Sequence, residues 1–96
     1  MKPLSHGLGA LFASLERRAQ ATIELTERVR AALPTPENEH VVSAIQRGEL
    51  LIVISDSAAW GTRIRYAQQE LLEQLHLGGE TQFTKVRVKV GRSVME

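Results

Sequence analysis

Apolar residues fall into three patterns along the chain. Between Ala10 and Leu33 they recur at helical spacing, with Leu11 or Phe12, Leu15, Ala19, Ile23, Val29 and Leu33 approximating one stripe. Between Leu50 and Ile54 they form an unbroken run of strand length, rich in β-branched residues. From Phe83 they alternate, with Val86, Val88 and Val90 on one face and Lys85, Arg87 and Lys89 on the other, the signature of a half-buried strand.

The intervening segments fill in the order. Glu16, Arg17, Arg18, Glu24, Glu27, Arg28 and Arg30 supply the polar side of the first helix. Glu24 and Arg28 stand four apart in the favourable direction, and Arg28 and Arg30 suit the negative end of the helix dipole. Pro34 and Pro36 stop that helix, and Thr35 to His40 is a polar linker. Val41 to Gln46 is a modest strand, joined to Leu50 through Arg47-Gly48-Glu49 by a loop short enough for a hairpin. Ser55, Asp56 and Ser57 each offer an oxygen to the free amides of a helix start, and Asp56 is read as such a cap. Trp60, Ile64, Ala67, Leu71 and Leu75 then share one face of a second helix, which Leu77-Gly78-Gly79 ends. Gly61 inside that helix weakens it by about 1 kcal/mol and points to a close approach by the first helix or a partner.

The expected fold is α+β in the order α-β-β-α-β, a three-stranded sheet with both helices on one face in two layers. Trp60, Ile64, Leu71, Leu75, Ile52, Ile54, Leu15 and Ile23 are expected to share the core. The 96 residues make one small domain, with the folded core over about residues 8–91 and the stretches 1–9 and 92–96 loosely ordered. Pro3, Gly7 and Gly9 discourage helix in the first of these.

Composition narrows the chemistry. There is no cysteine, which excludes disulfides, thiol catalysis and zinc–thiolate sites and suits a reducing, cytoplasmic setting. No membrane span and no signal peptide are expected. His6, His40 and His76 lack metal-ligand spacing and read as loop or surface residues, and no cofactor or metal is expected. Neither GLG nor GG has the context of a phosphate loop. No catalytic constellation is visible, so the chain is read as a non-enzyme.

With a formal net charge of +1, nucleic-acid affinity has to come from local clustering. One cluster stands out: Lys85, Arg87, Lys89 and Arg92 within KVRVKVGR, with no acid among them. It reads either as a row of phosphate contacts or as an edge strand guarded against sheet-to-sheet pairing. A base-stacking platform is not expected from Phe12, Trp60, Tyr66 and Phe83 alone.

The stretch GELLIVISDSAAW followed by WGTRIRYAQQELLEQL resembles the DciA family of bacterial replicative-helicase loaders. Gly48, Leu50, Ile52, Ile54, Trp60, Ile64, Arg65, Leu71 and Leu72 carry the resemblance, which covers roughly residues 8 to 91. It implies a KH-like domain and a replication factor that binds the replicative helicase (DnaB) and, weakly, single- or double-stranded DNA. The Gly-x-x-Gly loop of KH nucleic-acid binders is missing. Many members carry a basic C-terminal tail, whereas this sequence stops at Glu96, so the folded part is expected to present the helicase contact. Arg63, Arg65, Tyr66 and Gln69 on the exposed side of the second helix are the expected partner-binding residues, and Lys85, Arg87, Lys89 and Arg92 the DNA-binding ones. The alternative is a general nucleic-acid-binding module built on the basic strand.

Overall fold

The computed structural model describes residues 2–91. Helix α1 (Lys2–Ala32) is followed by a 3-10 turn (Glu37–His40), strands β1 (Val41–Arg47) and β2 (Leu50–Ser55), helices α2 (Ala58–Tyr66) and α3 (Gln68–Leu77), and strand β3 (Lys85–Val90). The sheet runs in the order β1-β2-β3, with β1 antiparallel and β3 parallel to the central strand. This is the expected two-layer α+β, KH-like arrangement with one helix more than the apolar pattern indicates. Arg92 lies outside the described residues.

The hairpin closes on two residues, because Arg47 pairs with Leu50. Gly48 takes a φ of 59°, the positive value that a type II′ turn needs at its first central position. In β2, Leu51, Val53 and Ser55 are fully buried against the helices. Opposite them in register stand Val86, Val88 and Val90 of β3, of which Val86 and Val88 pack on the core. Period-two alternation then sends Leu50, Ile52 and Ile54 to the other face of the sheet. Ile52 and Ile54 therefore lie outside the core, contrary to expectation, although Ile52 is largely covered there.

The core consists of Leu25, Val29, Leu33, Val41, Ala44, Leu51, Val53, Ile64, Leu71, Leu75 and Phe83. Two further expectations for α1 fail. Leu15 is 48% exposed because residues 9–20 of α1 lie largely clear of the body, and Ile23 is 52% exposed because it falls on the outer face of the packed half, whose inner face carries Leu25, Thr26 and Val29. The helix also starts at Lys2 rather than Ala10.

Polar contacts fix the packed half of α1 against β1. The Thr26 hydroxyl donates to the Thr22 carbonyl at 2.6 Å and accepts the Ala44 N–H at 2.9 Å. Arg30 donates to the Val41 carbonyl at 2.6 and 3.2 Å. These bonds satisfy strand-edge groups that a fourth strand does not reach. Arg28 pairs with Glu80 at 3.2 Å rather than with Glu24, which accepts from Gln20.

The second helix divides at Ala67. Its N–H reaches both the Arg63 and Ile64 carbonyls, a tightened turn that ends α2 and starts α3. The two pieces serve different surfaces: α2 lies on β2 and β3, while α3 packs against α1 and β3. Gly61 is buried where α2 lies on the sheet rather than against the first helix; a Cβ there would stand 3.5 Å from Val88 and 3.6 Å from Ser55, in ordinary van der Waals contact. At the end of α3, Gly79 has a φ of 96°, and the Glu80 N–H bonds the Leu75 carbonyl at 2.8 Å. Together these form a Schellman stop.

Candidate nucleic-acid and partner surfaces

The basic row is built by β3. Val86 and Val88 turn toward the helices, so the odd positions Lys85, Arg87 and Lys89 stand exposed on the opposite face. In register they flank Leu50, Ile52 and Ile54 respectively. Successive cations lie about 6.7 Å apart along the strand, a spacing set by the pleat. None forms an ion pair with an acid among the described residues.

One further cation belongs to this face. Arg47 pairs with Leu50, which pairs in turn with Lys85, so Arg47 and Lys85 lie on either side of the same apolar ridge. Sequence reading missed Arg47 because it looked like part of the turn; only the hairpin register assigns it a side. The face thus presents the ridge Leu50–Ile52–Ile54 with positive charge on both flanks. No aromatic ring belongs to it.

The expected partner residues also sit at the surface. Arg63 and Arg65 are exposed on α2, Tyr66 is 84% exposed at its end, and Gln69 is exposed on the first turn of α3. The break at Ala67 falls between Tyr66 and Gln69, so this surface spans two helices. Tyr66 does not pack its ring on the core edge.

Trp60 is not a core residue. It is half-buried, and its indole stacks on the His40 ring with centroids 3.8 Å apart and planes 6° from parallel. The Arg63 guanidinium lies 5.1 Å from the same indole. The Asp56 carboxylate reaches His40 Nδ1 at 2.9 and 3.2 Å, and the Asp56 N–H donates to the His40 carbonyl at 3.0 Å. Trp60 stands in the first turn of α2, over the 3-10 turn rather than over the sheet, so its ring meets His40 instead of the core. Asp56 is therefore not the helix cap. Ser57 is, with its hydroxyl accepting the Trp60 N–H at 3.2 Å. The sequence gives no local sign of the Asp56–His40–Trp60–Arg63 chain, because it joins a loop to a helix that begins eighteen positions later.

A groove of about 530 Å³ opens between α1 and the outer edge of β1, lined in part by Arg18, Thr22, Leu25, Arg28, Gln46 and Arg47. Among the described residues, no group of three His, Asp or Glu side chains comes together to hold a metal. No helix among them is long and apolar enough to cross a membrane.

A family model described as Dna[CI] antecedent, DciA, matches residues 3–88. No curated protein matches the chain.

Proposed function

The chain belongs to the DciA family, which is associated with loading of the replicative helicase, and from that premise we propose that it binds both the helicase and DNA through two separate surfaces. On this reading it is a cytoplasmic adaptor without catalytic chemistry. It acts by binding one assembly state of the helicase ring better than another, the only way a partner shifts an equilibrium.

The observation that carries the DNA part is the placement of Lys85, Arg87 and Lys89 on one exposed strand face. Three phosphate contacts there give weak, sequence-independent affinity that falls with salt. Replacing all three with Gln is expected to leave the fold intact. It is also expected to flatten the log–log salt dependence by up to about three phosphate equivalents, each near 0.7–0.9 in slope. An unchanged slope would return β3 to the role of a guarded edge. Arg92 is proposed as a fourth contact by sequence proximity alone.

The helicase part rests on Arg63, Arg65, Tyr66 and Gln69, an exposed cluster of the residue types that anchor interfaces. The test is Arg63→Ala with Tyr66→Ala, checked for folding by circular dichroism and titrated against the helicase by calorimetry. A loss of at least about 2 kcal/mol is expected for central anchors. Unaltered affinity in the folded variant would remove this surface from consideration. Because Arg63 also lies on the Trp60 ring, Tyr66→Ala alone serves as the control that leaves that stack intact.

A further inference from the structure

The outer edge of β1 is closed along one half and open along the other. The two-residue turn makes Arg47 and Leu50 a hydrogen-bonded pair, so alternation turns the N–H and C=O groups of Ala44 and Gln46 away from β2. At the Ala44 end, the Thr26 hydroxyl accepts the Ala44 N–H, and beyond it Arg30 donates to the Val41 carbonyl. Farther along, the Gln46 N–H and the Ala44 and Gln46 carbonyls meet no partner among the described residues. These open ladder groups border the groove of about 530 Å³ between β1 and α1.

The groove adds side chains to that edge. Leu25 and Ala44 give it an apolar floor, and Arg18, Arg28 and Arg47 line it against a single acid, Glu24. Arg18 and Arg47 form no ion pair among the described residues. Arg28 meets Glu80 through Nε, and a guanidinium has five N–H donors, so it still has groups to offer. Because Thr26 bonds Ala44 while Arg30 bonds Val41, α1 runs antiparallel alongside β1 and carries Arg18 toward the Gln46 end. Arg18 and Arg28 stand about 15 Å apart along the helix, the reach of roughly four to five extended residues.

We infer that this groove takes an extended, acidic segment of a partner protein, added as a fourth strand on the Ala44–Gln46 edge. Main-chain bonds to the open edge groups hold the segment. Its alternate side chains turn toward α1, where acids four positions apart reach Arg18 and Arg28 on either side of a small apolar residue over Leu25. The matching pattern is Glu-x-Val-x-Glu. A phosphate chain supplies the same charge, but its backbone brings acceptors only and leaves the two edge carbonyls unpaired. The surface is separate from the α2–α3 cluster around Tyr66 and shares only Arg47 with the basic face, so its test is independent of the helicase and DNA readings.

The probe is a fluorescein-labelled peptide, Thr-Glu-Thr-Val-Thr-Glu-Thr, blocked at both ends and titrated by fluorescence anisotropy. Submillimolar binding that weakens with salt is expected. By NMR, the Gln46 amide is expected to shift and its hydrogen exchange to slow, while the amides of β3 stay in place. N-methylation of the peptide at Val, whose N–H faces the edge, is expected to weaken binding about tenfold or more, and N-methylation at the Thr beside it, whose N–H faces away, is not. Arg18→Glu, at an exposed position, should keep the fold and weaken binding by about tenfold or more. Gln46→Pro removes an edge donor where a strand tolerates proline and should do the same; if that variant does not fold, the two N-methyl peptides on the parent chain decide. A parent chain that ignores the peptide at millimolar concentration overturns the inference and leaves β1 an edge guarded by its arginines. Equal behaviour of the two N-methyl peptides overturns the strand pairing, and shifts confined to β3 overturn the site. An oligothymidylate that slows exchange of the Gln46 amide where the peptide does not assigns the groove to nucleic acid instead.

Discussion

The two halves of α1 obey one apolar rhythm and meet opposite fates. From Thr22 onward the stripe is sealed against β1 and α3: Leu25, Val29 and Leu33 are buried, and Thr26 and Arg30 close the open hydrogen bonds of the strand edge. At Leu11 and Leu15 the same rhythm faces water. Amphipathic spacing states that a helix has a side to hide; it does not state what hides it. The sealed half is distinguished less by its apolar residues than by two polar ones, whose partners fix where the helix lies.

That contrast is open to measurement, and the largest effect is expected in the sealed half. Leu25→Ala removes a buried side chain and should cost about 2–5 kcal/mol in urea unfolding, enough to threaten a domain of this size. Thr26→Val keeps the shape but leaves the buried Ala44 N–H without an acceptor, and should cost about 1–3 kcal/mol. If Thr26→Val unfolds like the parent, the hydroxyl does not set the helix position, and the contrast reduces to apolar area. Trp60→Ala tests a surface intermediate between the two. With its ring stacked on His40 at the margin, a loss of about 1–2 kcal/mol is expected, below the 3–5 of a core tryptophan. Leu15→Ala in the free half should stay within about 0.5 kcal/mol in dilute solution. A large loss there would mean that the first half of α1 supports the fold after all.

Much of the architecture was legible because it depends on short-range pattern. The β1–β2 hairpin follows from Gly48, the β3 faces from strict alternation, and the end of α3 from Gly78-Gly79. The Ser57 cap lay among three candidates that only geometry separates. What stayed hidden depends on distant neighbours. Ile52 and Ile54 sit in an unbroken apolar run, where nothing marks which alternate residues face the helices; the pairing with Ser43, Ile45 and β3 decides it. The division at Ala67 has no proline or glycine beneath it and reflects two packing surfaces, the sheet for α2 and α1 for α3. His40 looked like a lone loop histidine because its partners, Asp56 and Trp60, follow sixteen and twenty positions later. For the candidate surfaces, exposure of Lys85, Arg87, Lys89, Arg63, Arg65, Tyr66 and Gln69 agrees with the sequence reading, whereas Arg47 joins the basic face only through the sheet register.

The parallel partnership of β2 and β3 also has a consequence in time. Arg47 and Leu50 are brought together by a two-residue turn, whereas Leu50 meets Lys85 only after the whole α2–α3 segment has been closed into a loop. Local hairpins form in microseconds, while pairings across long loops lose more chain entropy before contacts compensate. The last strand is therefore expected to dock late, so that Val88→Ala speeds unfolding and leaves the folding rate nearly unchanged. Since β3 carries Lys85, Arg87 and Lys89, the ordered row of positive charge exists only once the chain has finished folding. A collapsed state holding just the hairpin would carry these three cations on a loose segment, without the fixed strand spacing of the native face.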